Sequence, residues 1–216
     1  MDDAVVWLER AVALKPDWPE THNSLGAVWF LRGDLARAWA AFDEAIRLDP
    51  TNAEAYFNRG RVLVSQRRPG EALVAFRSSL RLKPDDPLTL AAAASATAAL
   101  GEVAQAIELY RRALRINPEL VPALTDLAWI LSAAQPHDDA RAREAIQLAE
   151  CAAQLTSFDN PVVLDALAAS YFASGRVEHA IRSAEQAVAA AERSGDVRAT
   201  ADIATRLQTY RTQRSR

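Results

Sequence analysis

Apolar residues along this chain recur three and four positions apart in short blocks, and each block closes on proline or glycine before the pattern restarts. Leu25, Gly26 and Trp29 share one side of a helical wheel, and Ala38, Phe42 and Ala45 share one side of the next. That spacing belongs to amphipathic α-helices. The punctuation predicts first helices over 19–31, 53–66, 87–99, 121–133 and 161–173, each followed by a second helix, over 35–48, 69–82, 103–116, 140–155 and 177–192. Residues 1–15 read as a second helix with no first helix before it, because Ala4, Leu8, Ala11 and Pro16 repeat the spacing of Ala38, Phe42, Ala45 and Pro50. A last helix, over about 197–212, sets Ala199, Ile203, Leu207 and Tyr210 on one stripe and Arg198, Asp202, Thr205 and Arg206 elsewhere. One apolar face and one polar face are what a capping helix needs.

The blocks repeat. Pro16, Pro50, Pro84 and Pro118 lie 34 residues apart and end the phrases Ala-Leu-Lys-Pro, Arg-Leu-Asp-Pro, Arg-Leu-Lys-Pro and Arg-Ile-Asn-Pro. A period of that length holds two helices and a turn but cannot bury its own apolar face, so such blocks must stack. Thr51 or Asn52, Asp86 and Asn160 are suited to cap first helices, with Pro87 and Pro161 at the first helical position. Turns within repeats are expected at Arg32-Gly33-Asp34, Pro69-Gly70, Gly101-Glu102 and Ser174-Gly175-Arg176.

Within each repeat the small and aromatic residues hold fixed offsets: Gly26, Ala38, Phe42 and Ala45, then Gly60, Ala72, Phe76 and Ser79, then Ala94, Ala106, Tyr110 and Ala113. The pattern over residues 17–118 resembles the tetratricopeptide repeat. The resemblance implies an all-α fold, a right-handed superhelical solenoid of antiparallel helix pairs with a C-terminal capping helix. It divides the chain into a partial repeat over 1–16, repeats over 17–50, 51–84, 85–118, 119–158 and 159–194, a cap over 195–212 and a tail over 213–216, all one array. Small residues where the two helices of a repeat cross let the axes approach to about 8–10 Å. The repeat over 119–158 departs from the pattern, with surplus residues in Gln135-Pro136-His137-Asp138-Asp139-Ala140 and no closing proline.

In this family the first helices line a concave groove. Carried over position by position, the resemblance places Asn23, Phe30, Phe57, Asn58 and Arg61 in the groove on the N-terminal side, and Thr125, Asp126, Trp129, Asp165 and Phe172 on the C-terminal side. The lining offers amides, Arg61 and aromatics at one end and acidic residues beside Trp129 at the other. A peptide with an apolar anchor and some basic character suits it. The two-carboxylate clamp of chaperone-binding members and the asparagine ladder of sugar-transferase members both lack their required residues. The N-terminal helix leaves Val5, Leu8 and Val12 without an upstream partner, an edge that invites association, including a homodimer.

Composition narrows the classes. A net charge of -3, from 25 basic and 28 acidic residues, speaks against a nucleic-acid partner. No apolar run reaches the roughly 20 residues that span a bilayer. The lone Cys151 excludes an intramolecular disulfide and, inside an alanine-rich helix, reads as a small buried hydrophobe. Trp7, Trp29 and Trp39 read as packing residues. His22, His137 and His179 are scattered, so spacing builds no metal site, and no phosphate loop or nucleophile motif is present. No cofactor is implied.

These observations predict a non-catalytic interaction module that takes a protein or peptide partner in its groove, placed in a bacterial cytoplasm, or in the periplasm if a targeting segment precedes Met1. The alternatives are a C-terminal repeat region of a larger envelope protein or glycosyltransferase-type enzyme, and self-association through the N-terminal edge.

Overall fold

The computed structural model describes residues 2–133 and 139–214, and among these every regular element is a helix. In chain order they are α1 (Asp2–Leu14), α2 (Pro19–Leu31), α3 (Leu35–Leu48), α4 (Ala53–Ser65), α5 (Pro69–Leu82), α6 (Pro87–Ala99), α7 (Val103–Ile116), α8 (Val121–Ser132), α9 (Asp139–Leu155), α10 (Pro161–Ala173), α11 (Val177–Ser194) and α12 (Val197–Arg214). The helices gather into two compact units, residues 1–116 and 117–216.

Local chemistry sets the helix starts. The side chains of Asp34, Asn52, Asp86 and Asn160 each accept a backbone N–H from the first turn of the helix they precede, and each such cap contributes about 1 kcal/mol. Thr51 does not cap; its N–H and hydroxyl both turn back to Asp49. Pro19, Pro69, Pro87 and Pro161 occupy first helical positions, where a missing N–H costs nothing.

Gly33, Gly101 and Gly175 close the first helices of their repeats with φ of 77°, 85° and 77°. In the second full repeat the same place falls to Arg67, with φ of 59°. This corrects the expected Pro69-Gly70 turn: both residues lie inside α5, and the left-handed step comes two residues earlier, on a side chain that strains it. The expected surplus in the repeat over 119–158 falls largely on residues 134–138, outside the described residues, as does His137. At the far end of α9 two successive left-handed residues, Ser157 and Phe158, do what a closing proline does elsewhere.

In the N-terminal unit α2 pairs with α3, α4 with α5 and α6 with α7, while α3 packs on α4 and α5 on α6. Backbone and ring meet closely at the pair crossings. A β-carbon on Gly26 would sit 2.7 Å from the Phe42 ring, and one on Gly60 would be 2.7 Å from Cδ1 of Phe76. Phe42 and Phe76 are almost wholly buried, at 1% and 0% exposure. Trp29, Ala38, Phe42 and Val62 form one core cluster, and Val5 of α1 belongs to it.

In the C-terminal unit α8 pairs with α9 and α10 with α11, and α12 lies along α11 and touches α10. Ile203, Leu207 and Tyr210 are the buried stripe of α12. Ile203 packs with Leu164 and Ala187, and Leu207 and Tyr210 pack with Ala168, Ala180 and Ala184. Most of the polar remainder of α12 faces water, as the sequence predicts for a cap, but Arg206 is half-buried and turned toward α10.

Candidate functional site

On the N-terminal unit, α2 and α4 lie side by side and share one face. Asn23 and Asn58, both buried, join across them: Nδ2 of Asn58 donates to Oδ1 of Asn23 at 3.1 Å. One turn further, Arg61 leans over two rings, its guanidinium 4.5 Å from the centre of Phe30 and 5.8 Å from that of Phe57. Residues 57 and 61 meet because they stand i, i+4 on one helix. Arg61 also donates a long hydrogen bond, 3.5 Å, to Oδ1 of Asn58. Two aromatic faces and an amide hold the guanidinium over the shared face of α2 and α4, yet the side chain stays exposed. Among the described residues Arg61 has no carboxylate partner.

A cleft of about 330 Å³ opens beside it, between α4, α5 and the start of α6. Glu54, Phe57, Asn58, Arg61, Lys83 and Thr89 are among its walls. Lys83 likewise meets no carboxylate among the described residues. Asp86 is engaged, since its carboxylate caps α6 through the Thr89 N–H at 2.7 Å. Glu54 stands seven residues before Arg61, about 10 Å along the helix. Past Arg61 the same face continues into an apolar cleft of about 290 Å³, lined by Val64, Pro69, Ser95 and Ala99 with Arg67. The face therefore runs from charged to apolar along α4 and α6.

On the C-terminal unit the expected residues do come together, but not as an open acidic surface. Asp165 is buried, its side chain only 5% exposed. Arg206 of α12 grips it with both forks of the guanidinium: Nε donates to Oδ1 at 3.0 Å and Nη2 donates to Oδ2. The same guanidinium lies 5.5 Å from the ring of Trp129 on α8. Burial pushes the Asp165 carboxyl above its ordinary value against the pull of Arg206. The hydrogen bond to Asp165 in turn holds Arg206 more firmly charged. Phe172 stacks on Tyr210 with ring centres 4.4 Å apart, and burial, together with the nearby Asp165 charge, pushes the Tyr210 phenol up to about 12. Thr125 is buried and turned to its own helix, donating to the Val121 carbonyl, while Asp126 is half-buried. The expectation of a free acidic end for a basic peptide is thus corrected: Asp165, Trp129 and Phe172 are covered by residues of α12. Position-by-position reading of first helices could not supply Arg206. The available signal was its place beside Ile203 and Leu207, at the rim of the α12 apolar stripe.

The expected N-terminal edge is also redrawn. Val5 is 5% exposed and packs with Trp29, so it is core. Leu8 and Val12 are half-buried. The outward side of α1 instead carries Val6, Trp7 at 66% and Leu14 at 84% exposure. Trp7, expected to pack in the interior, is exposed, with the Arg10 guanidinium 5.5 Å from its ring centre. Trp29 is buried and Trp39 half-buried. Cys151 is half-buried rather than sealed in the core.

His22 bonds the Pro16 carbonyl through Nε2 at 2.8 Å, and the His179 ring packs against Tyr171 with the two planes tilted by 46°, so both histidines have local structural contacts. Among the described residues no cluster of His, Cys, Asp and Glu is arranged to hold a metal ion, and no helix is long and apolar enough to cross a membrane.

The sequence profile of the tetratricopeptide repeat family matches residues 2–53, 32–87 and 57–121, more than half of the chain in all. Among curated proteins, the Hsp70-Hsp90 organizing protein of Triticum aestivum is 44% identical over 50 residues, a match that covers 23% of this chain and 9% of that protein. The chain thus spans less than a tenth of the length of this relative. Among solved structures, YrrB, described as a TPR protein with an unusual peptide-binding site, superimposes with a TM-score of 0.63 at 17% identity, covering 92% of this chain and 97% of YrrB. TTC0263, a thermophilic TPR protein of Thermus thermophilus, gives 0.67 at 20% identity over 89% and 98% of the two chains. The APC/C hetero-tetramer Cut9-Hcn1 gives 0.83 at 15% identity, over 99% of this chain and 40% of that one. At these identities the structures share the fold.

Proposed function

Because this chain belongs to the tetratricopeptide repeat family, whose members are in general non-catalytic interaction modules, we propose that it is a scaffold that captures a segment of a partner protein on the shared face of α2, α4 and α6. The observation that carries this reading is Arg61, a charged guanidinium held over the groove by Phe30, Phe57 and Asn58 and left without a carboxylate among the described residues. Its preferred complement is an aspartate, a glutamate or a terminal carboxylate, which matches the guanidinium fork. The apolar cleft at Val64 and Ala99 supplies the neighbouring anchor site, so the segment carries an acidic group followed by a small apolar side chain. This replaces the basic peptide that the sequence suggested, since Asp165, at the acidic end, is already paired with Arg206. The proposed compartment is the cytoplasm.

Selection of random displayed peptides on the wild type and on Arg61→Glu tests the reading. The wild type is expected to enrich peptides pairing Asp or Glu with an apolar residue, and Arg61→Glu to lose them while melting normally. Wild-type-selected peptides that bind Arg61→Glu equally well would remove Arg61 from the site.

A second reading rests on α1. The exposed Trp7, Leu14 and Val6 give the outward side of α1 an apolar character, and self-association through them is the proposal. Light scattering on the wild type and Trp7→Glu decides it: a dimer lost in the variant supports it, and a wild-type monomer removes it.

A further inference from the structure

The C-terminal unit contains a ligand-like arrangement made entirely from its own chain. Asp165 of α10 presents a buried carboxylate, and Trp129 of α8 presents a ring face beside it. A carboxylate for the fork and an aromatic for the flat face are what recognise a guanidinium in the general case. Arg206 satisfies both from α12, and 37% of its own side chain remains in water. The carboxylate is thus deep and fixed, whereas the cation that fills it arrives from the surface.

We propose that Asp165 and Trp129 form a guanidinium-binding site that Arg206 fills in cis, closing this face to arginine-bearing partner segments. The site selects guanidinium over ammonium, because only a planar fork donates to both Asp165 oxygens while lying against the indole. Arg206 is tethered by a helix whose Ile203, Leu207 and Tyr210 are buried, so its local concentration far exceeds that of a free competitor. That tether makes the face a barrier rather than an open pocket. An arginine of another protein finds its carboxylate already paired, while an acidic segment at Arg61 meets no such competition. The consequence at this face is exclusion of arginine-bearing segments rather than their capture. This inference concerns the C-terminal unit and stands or falls separately from the Arg61 reading.

Removing the cis ligand exposes the site to a small probe. Methylguanidinium chloride is titrated into the wild type and Arg206→Ala, with methylammonium chloride as the control cation, and the Trp129 indole N–H resonance is followed. Arg206→Ala is expected to show a saturable shift at millimolar methylguanidinium, at least about tenfold larger than in the wild type, with no saturable response to methylammonium. Asp165→Asn in the Arg206→Ala background is expected to abolish it. A folded Arg206→Ala without a saturable shift overturns the proposal, as does equal binding of methylammonium or survival of binding in the Asp165→Asn double variant. If Arg206→Ala does not fold alone, circular dichroism takes over as the readout. Refolding by millimolar methylguanidinium but not by equimolar methylammonium supports the site, and no difference between the two cations overturns it.

Discussion

Asn58 donates its side-chain amide to the side-chain oxygen of Asn23, 35 residues earlier, and both side chains are buried between α2 and α4. This hydrogen bond ties two successive repeats together directly beneath Arg61. Asn23→Ala leaves the Asn58 amide without that acceptor, a loss of about 1–3 kcal/mol. Because the two residues share one interaction, the costs of Asn23→Ala and Asn58→Ala are expected to overlap by about 1 kcal/mol in the double variant. Urea unfolding of the four proteins measures this. Strict additivity would mean that the pair contributes nothing between repeats.

Gly26 and Gly60 carry no side chain because Phe42 and Phe76 occupy the space a β-carbon would take. Both rings are locked in the core, so they cannot swing away cheaply. Gly60→Ala is expected to lower stability by about 1–3 kcal/mol through overpacking. Phe76→Leu alone costs stability by leaving a void, but added to Gly60→Ala it relieves the clash. The double variant is therefore predicted to be more stable than the sum of the two single changes. Simple addition of the two losses would show that the close approach is not what requires glycine.

Arg67 occupies the left-handed position that Gly33, Gly101 and Gly175 hold in other repeats. A non-glycine residue there costs about 1–2 kcal/mol, while glycine loses about 0.5–1 kcal/mol of extra chain entropy on folding. Arg67→Gly is therefore predicted to raise stability by about 0.5–1 kcal/mol, read as a higher urea midpoint at unchanged slope. A lower midpoint would show that the Arg67 side chain holds the turn in another way.

The same residue marks where sequence reading stops. Helix starts were legible because local groups fix them: Asn52, Asp86 and Asn160 cap, and Pro87 and Pro161 begin the helices they were expected to begin. Pro69-Gly70 looked like a turn because the pair is a strong turn signal, yet proline is equally at home at the first position of a helix, and there it stands. The faces were less legible than the helices. Val5 and Trp7 are two residues apart, and which of them is covered depends on the neighbour each helix face meets. The residues of α2 and α4 that the sequence assigned to a groove lie together around Arg61. Those from α8 and α10 meet too, but the side chain that changes their meaning, Arg206, comes 41 residues after Asp165. No period in the sequence announces a pairing with the cap.

That pairing makes a pH-dependent prediction. In the folded chain burial raises the Asp165 carboxyl, and Arg206 opposes the rise through its hydrogen bonds and charge. Arg206→Ala removes the opposition and leaves burial and the like charge of Asp202, so the folded-state value climbs further. A carboxyl raised on folding stabilises most below its unfolded value, and that contribution is lost as pH rises through the folded value. The variant is thus expected to approach the wild type as pH falls toward 4, because Asp165 needs less counter-charge the more of it is protonated. At pH 7 it falls behind by about 2 kcal/mol or more, less than a fully buried pair would lose because Arg206 keeps part of its side chain in water. Adding Asp165→Asn should flatten the difference, since no ionisable group then sits in the pocket. Thermal melts of the three proteins from pH 4 to 7 give the comparison. A gap between wild type and Arg206→Ala that stays constant across this range would mean that Asp165 is not the group Arg206 serves.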